Sequence, residues 1–386
     1  MPPQQPSNWT LDGDENIEKL ELAATSKYGR SPHILHKAVP SRYPSPLPWR
    51  LQFLARLTAL IVPALFYIGP VMLMTPLLLL PISLRGALLA LSVDIVLAFV
   101  PVKEWLFFRH YFQLWYELFD FHHNLDVNMD ADKTEDTSLL IYSTHPHGVI
   151  PIHGYLWCAF CDQHWPNRYG FGALTDIALR LPILRHVMSW LSSTSATKKV
   201  LLERMSVGDN LYILPGGVSE IFLACPGRHD HVIKSPRRGL MKMALETGAV
   251  LVPIYVFGAN DFYNQLATYG SSTGRGTTTT NKFGKAQRRV SQITRGGFTF
   301  FWGQYGSPLP FEAKCSMVLG DPLEPVPGTL GQGQTVEGNK MTCKKIPHPT
   351  DEQIDELTHR YTDALVRLFE QYKAQAGCPD ANLLFE

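Results

Sequence analysis

Two imidazoles one residue apart, in His145-Pro146-His147-Gly148, follow the apolar run Leu139-Leu140-Ile141-Tyr142. The run reads as a buried strand and the motif as the turn that leaves it. Histidine is the side chain best matched to proton transfer near neutral pH, so this spacing offers general acid–base chemistry. Gly148 lets the backbone come close to whatever binds beside it. A histidine at a strand end is by itself more often structural, so its neighbours along the chain decide the matter.

Three further patterns bear on it. Leu214-Pro215-Gly216-Gly217-Val218-Ser219-Glu220 follows the strand-like Leu211-Tyr212-Ile213, and its carboxylate, Glu220, is suited to orienting an imidazole and stabilising the imidazolium. Lys234-Ser235-Pro236-Arg237-Arg238-Gly239-Leu240 puts cations at the start of a helical stretch, where backbone amides with Lys234, Arg237 and Arg238 would hold phosphates. Val252 to Phe257 is a buried strand that ends in Gly258-Ala259-Asn260-Asp261, whose polar groups either line the site or cap the next turn.

Other chemistries fit less well. Cys158 and Cys161 with His153 and His164 have a chelating spacing, but a second cysteine pair is missing and the surroundings are apolar, so no metal is expected. A His-x-His metal hydrolase would need further ligands at later strand ends, whereas His186, His229, His231, His348 and His359 fall in helical or loop stretches. A non-enzymatic lipid-droplet scaffold would leave His145, His147 and Glu220 without a role.

The elements that must position these residues alternate. Leu139–Tyr142, Phe171–Leu174, Leu211–Leu214, Val250–Phe257, Phe298–Trp302 and Ser316–Leu319 read as strands, with helices over Ile177–Leu191, Ala196–Met205 and Gly239–Glu246. Such alternation predicts an α/β layered domain with a mostly parallel sheet flanked by helices. Asp351 to Ala376 predicts a surface helix capped by Thr350 with Gln353 completing a capping box. The polar runs 271–295 and 328–343 are expected to be mobile excursions.

Upstream, no charged residue occurs from Leu57 to Leu84, longer than the roughly 20 residues a bilayer-spanning helix needs. Pro63, Pro70, Pro76 and Pro81 interrupt it, and a second apolar run from Ala87 to Val102 carries one charge, Asp94. The expected organisation is a disordered cytosolic tail over 1–48, a membrane hairpin over 49–102 joined at Arg85-Gly86, and a catalytic domain over 103–386. Arg50, Arg56, Lys103 and Arg109 flank the hairpin and place both ends on the cytosolic side. The aromatic stretch 103–121 is expected at the membrane interface, although a core helix would look the same. With 35 basic and 34 acidic residues the chain has no nucleic-acid footprint, and its six cysteines suit a reduced, cytosol-facing setting.

Taken in order, these pieces resemble the type 2 diacylglycerol acyltransferase family, which also contains monoacylglycerol acyltransferases and wax synthases. The likeness rests on the hairpin, His145 to Gly148, Arg180-Leu-Pro-Ile-Leu-Arg185, Pro215 to Glu220, Arg237 to Leu240, Phe257 to Asp261 and Asp321-Pro-Leu-Glu324, across roughly residues 50–375. The resemblance implies a glycerolipid-acyltransferase-like fold and transfer of an acyl group from acyl-CoA to diacylglycerol, with monoacylglycerol, a fatty alcohol or a sterol as alternative acceptors. It implies His147 as base steadied by Glu220, His145 in support, and Pro146, Gly148, Gly216, Gly217, Lys234, Arg237, Arg238 and Asn260 around the substrates. It implies no cofactor, an endoplasmic reticulum or lipid-droplet membrane as partner, and leaves a homo-oligomer open. Two departures stand out. The superfamily's Asp five residues after its histidine is replaced here by Ile150 or Ile152, and Gln304 stands where many members carry Arg.

Overall fold

The eight residues Val250–Phe257 are apolar or aromatic throughout and all are buried, which is what a strand covered on both faces requires. Their side chains alternate: Val250, Val252, Ile254 and Val256 enter one core and Leu251, Tyr255 and Phe257 the other. The sheet around this strand divides the domain into two layers.

The computed structural model describes residues 34–125, 138–227, 229–266, 282–294, 296–333 and 340–386. Strand β1 (His36–Lys37) precedes helices α1 (Trp49–Leu79), α2 (Leu84–Phe99), α3 (Leu106–Tyr111) and α4 (Trp115–Leu118). Strands β2 (His122–His123) and β3 (Leu140–His145), helix α5 (Ile152–His164), strand β4 (Gly170–Leu174), helix α6 (Leu184–Trp190) and strand β5 (Thr194–Ser195) follow. Next come α7 (Lys198–Ser206), β6 (Asn210–Ile213), α8 (Gly217–Ile221), β7 (Asp230–Ile233), α9 (Arg238–Thr247) and β8 (Val250–Phe257). The chain continues through β9 (Asn264–Gln265), α10 (Lys282–Thr294), β10 (Phe301–Trp302), β11 (Ser316–Leu319), α11 (Asp351–Tyr372) and β12 (Asn382–Phe385).

The central sheet has the order β1-β2-β11-β8-β3-β6-β4-β5, and β8, β3, β6, β4 and β5 run parallel while β11 is antiparallel to β8. This is the mixed α/β architecture the alternation predicted. One face packs on α5, α6 and part of α1, the other on α7, α9 and α11. Thr350 accepts from Gln353 N and Gln353 reciprocates, so the expected capping box starts α11. Tyr361, buried in the middle of α11, hydrogen-bonds Ser143 on β3 at 2.6 Å.

Several expectations are corrected. Residues 34–48 are packed rather than loose: Glu117 accepts from Ser45 Oγ and Leu47 N, Gln113 accepts from Ser41 N and Arg42 N, and Leu47 is buried. Residues 1–33, with the Asn8-Trp9-Thr10 sequon, lie outside the described residues. Stretch 103–121 is not one interfacial helix. It breaks into α3, a 3-10 turn and α4, and Phe112, Trp115 and Phe119 are core residues, although Trp105 and Phe107 remain exposed. The predicted helix over 177–191 is interrupted at Pro182, which has no amide to donate, and Ile183 turns left-handed before α6 begins. Phe298–Trp302 contributes only β10, paired with β9 outside the central sheet. Half of the polar excursion, from Lys282, is helix α10; 267–281 and 295 lie outside the described residues, as do 334–339 of the second excursion, whose end is stitched by Cys343 N to Gly248 O.

Among the described residues one helix, α1, is long and apolar enough to cross a membrane. Its three internal prolines do not break it; the chain leaves it only at Leu80–Ser83, where Pro81 stops the helix and Ser83 Oγ caps α2 by accepting from Gly86 N. The joint is therefore a few residues earlier than Arg85-Gly86. A seam of mostly small residues, including Ala55, Ala59 and Gly69, lets α1 lie close against the domain. Arg185 and His186 reach the carbonyls of Leu97 and Ala98, so cationic and polar groups meet the C-terminal end of α2, where the helix dipole favours them.

Removing the α11 cap tests how far this helix braces the sheet. Thr350→Ala should lower unfolding stability by about 1 kcal/mol, read as a lower Tm in detergent, with Thr350→Ser close to the parent. An unchanged Tm in Thr350→Ala would mean that α11 is held by packing alone.

Candidate active site

Because β8, β3 and β6 are adjacent and parallel, the segments leaving their carboxyl ends meet, which is where open α/β sheets place their ligand sites. The convergence unites His145 at the end of β3, the Pro215 to Glu220 turn after β6, and Gly258 to Asp261 after β8. The His145–Pro146 peptide is cis. Gly148 is left-handed at φ 68°, and a Cβ there would lie 2.5 Å from Ala259 O, so this glycine serves the close packing of two turns.

Glu220 on α8 is buried and accepts three hydrogen bonds. His145 Nδ1 reaches Oε1 at 3.0 Å, Lys234 N donates to Oε1 at 2.9 Å, and His147 N donates to Oε2 at 2.8 Å. Burial pushes its carboxyl up, but the His145 charge and hydrogen bond, with the Lys234 amide, more than offset this and hold it below its ordinary value. Gly216 makes the arrangement sterically possible: a Cβ there would collide with all three carboxylate atoms of Glu220.

The expected pairing is thus corrected in one respect. Glu220 binds the ring of His145 and only the backbone of His147. The His147 ring is placed by its own Nδ1, 2.9 Å from Gly148 O. A carbonyl can only accept, so His147 carries its proton on Nδ1 and leaves the lone pair on Nε2. Glu220 as an ionised acceptor likewise calls for a proton on Nδ1 of His145, whose Nε2 is buried without a partner among the described residues. His145 is fully buried whereas His147 is partly accessible. Burial lowers the His147 pKa from 6.5, with the Gly148 and Glu220 contacts opposing, which keeps its ring neutral near pH 7.

The remaining predicted residues divide. Pro146 and Asn260 line a small cleft with His231, and Asn260 Oδ1 is buried without a partner among the described residues. Asp261 ties down the loop at Gly227, whose N–H it accepts at 2.8 Å. Gly217 has φ 52° and lies beside Arg237, whose guanidinium donates to Gly216 O at 3.2 Å. Arg237 is exposed and makes no ion pair among the described residues. Lys234 Nζ is 3.5 Å from Glu386, and Arg238 turns to α11, pairing with Asp351 at 2.6 Å and with Asp355. Arg238 is therefore a clamp between helices and faces away from the phosphate role expected of it. Gln304 braces its own loop by donating to Pro310 O at 2.7 Å.

Cys158 and Cys161 sit on α5, and burial pushes the Cys158 thiol up to about 11, the opposite of what a zinc thiolate requires. His153 on the same helix has a place that its spacing to these cysteines obscured. It is fully buried close to His147, both ring nitrogens lack partners among the described residues, and burial pushes it down to about 3. Its i+6 position after His147 was the available signal.

Two histidines bound by one buried carboxylate, one through its ring and one through its backbone, mark the carboxyl edge of this parallel sheet as the candidate active site. The model of the family described as diacylglycerol acyltransferase matches residues 99–330 and 329–386. The chain belongs to that family. It is 27% identical to diacylglycerol O-acyltransferase 2 of Dictyostelium discoideum over 70% of this chain and 73% of that protein, and 28% identical to the Homo sapiens protein of the same name over 72% and 65%. It is 32% identical to diacylglycerol O-acyltransferase 2-like protein 6 of Mus musculus over 64% of this chain and 70% of the relative. Among solved structures, the 1-acyl-sn-glycerophosphate acyltransferase of Thermotoga maritima aligns over 81% of this chain and 97% of its own with a TM-score of 0.35 and 13% identity.

Gly216→Ala tests the clamp, since Gly216 has ordinary helical dihedrals and the atoms nearest the added methyl are those of the Glu220 carboxylate. Turnover should fall at least about tenfold and stability by about 1–3 kcal/mol, because a buried carboxylate is pushed off its donors. Full activity in this variant would mean that the position of the Glu220 carboxylate is not critical.

Proposed function

We propose that this chain is an acyl-CoA-dependent diacylglycerol O-acyltransferase in which His147 Nε2 is the general base and Glu220, through His145 and the His147 amide, sets the geometry. The observation that carries the reading is the triple hydrogen bond to Glu220 in a chain of this family. His147 Nε2 takes the proton of the acceptor hydroxyl as that oxygen attacks the thioester carbonyl. The tetrahedral intermediate collapses to the ester and the CoA thiolate, which receives the proton from the imidazolium. A thiolate leaves without strong acid assistance, so the chemistry calls for neither a metal nor an organic cofactor. Arg237, with Lys234 beside it, is our candidate for the CoA phosphates, and Pro146, Gly217 and Asn260 border the space where the substrates meet.

In the same reading α1 and α2 form a helical hairpin in the membrane of the endoplasmic reticulum or the surface of a lipid droplet. The outward residues of both helices support this: Val71, Leu77, Leu78, Leu88, Leu89, Val96 and Phe99 are all exposed in the isolated chain. The basic residues Arg50, Arg56, Lys103 and Arg109 support a cytosolic position for both ends. An apolar acceptor then reaches the site from the hydrocarbon while acyl-CoA arrives from water.

Membranes containing each variant, supplied with labelled acyl-CoA and a panel of diacylglycerol, monoacylglycerol, fatty alcohol and sterol, test the assignment. His147→Ala should lose at least about 100-fold in rate on the preferred acceptor, and Glu220→Gln should lose a comparable factor. Full activity in His147→Ala would remove it as the base, and transfer to none of the acceptors would sink the activity itself. The base works only when deprotonated, so kcat/KM should fall as pH drops through the His147 pKa, with a midpoint below the ordinary 6.5. A midpoint above 6.5 would contradict the burial argument.

A further inference from the structure

Helix α10 is built inside out. Against the protein lie Gly284 and Ser291, both buried, with Gln287 and Arg288 partly covered. On the opposite side Ala286, Val290 and Ile293 recur at the i, i+4, i+7 spacing of one stripe, and Val290 and Ile293 are 51% and 75% exposed. A helix on a water-facing surface has the reverse arrangement, apolar side in and polar side out. The sequence of this helix also contains Lys282, Lys285, Arg288 and Arg289 and no acidic residue, and Arg289 is exposed next to the apolar stripe. An outward apolar stripe among cations matches the chemistry of an anionic phospholipid surface, with the acyl boundary taking the stripe and the headgroups taking the charges.

Position supports the same occupant. Ser291 Oγ donates to Phe298 O at 2.8 Å, which ties the end of α10 to the segment leading into β10. In that segment Phe300 is 51% exposed and stacks on Tyr67 of α1 at 6.4 Å, while the Tyr67 hydroxyl binds both backbone groups of Phe301. Exposed apolar side chains thus occur on α10, at Phe300 in the segment tied to it, and at Ile68 and Val71 on the helix that Phe300 contacts. Inward, α10 packs on α8, and Gly297 lies against Ile221, the residue after Glu220. We propose that α10 is a second membrane contact that docks flat on an anionic phospholipid leaflet and seats the Glu220 end of the active site against it. This rests on the membrane reading of α1 given above and adds a separate surface to it.

Hydrogen exchange of the full chain reconstituted in nanodiscs tests this, comparing phosphatidylcholine alone with phosphatidylcholine plus phosphatidylserine. Amides of 282–294 should exchange at least about tenfold more slowly in the anionic discs. That protection should weaken at high salt and disappear in Arg289→Glu and Ile293→Asp, whose exposed positions leave the fold intact, as checked by an unchanged Tm in detergent. Equal exchange in both lipids overturns the proposal. Protection that follows protein concentration instead of lipid charge also overturns it, because the stripe would then cover a second copy of the chain. If 282–294 is unprotected while α1 is protected, only the docking of α10 falls. If α1 is unprotected too, the membrane reading falls with it.

Discussion

A carboxylate removed from water must find donors or give up its charge, and Glu220 finds three from two segments far apart in sequence. Two come from His145, the last residue of β3, and His147 just after it, and one from Lys234 just past β7. Satisfying this one group fixes the plane of the His145 ring, the backbone of His147 and the path of the chain beyond β7. Strand β12 then pairs with β7, and Glu386 returns to Lys234, so the outer layer is laid down on the same constraint. Beneath it, the Ser143–Tyr361 bond connects β3 to α11. The site is thus a by-product of solving a solvation problem inside a parallel sheet.

Much of this was legible in the sequence. The three motifs that meet at the site each follow an apolar run, and a parallel order β8-β3-β6 brings the ends of such runs together. The capping box of α11 is a purely local signal and was read residue for residue. What could not be read were directions and partners. Spacing identifies two imidazoles and a carboxylate but not which ring turns toward Glu220, since that depends on the backbone path between His145 and Gly148. Arg237 and Arg238 look alike in sequence, yet successive residues at a helix start point apart, and only Arg238 meets Asp351 and Asp355. Aromatic periodicity over 103–121 serves a core or an interface equally, and Phe112 and Trp115 went to the core. A polar, proline-containing tail gives no hint that Gln113 and Glu117 will capture its backbone amides.

The apolar helix α1 has two surfaces with different tasks. Its small-residue seam and the Tyr67 hydroxyl fasten it to the sheet side, and its larger aliphatic residues point away. With Arg185 and His186 holding the end of α2, both helices are tied to the catalytic layer at several points along the fold. They are fastened through main-chain and side-chain bonds, which is a different relation from that of an anchor on a slack linker.

The contact between Gly216 and the Glu220 carboxylate leaves no slack at this site. A group with no room to move cannot adapt to a longer, bulkier or more branched acceptor, so chemistry and selectivity have to be housed in different parts of the molecule. The walls that touch neither residue can change shape without disturbing the clamp. For anyone redesigning acceptor choice, that division draws the boundary: the turn from Pro215 to Glu220 should be left as it is.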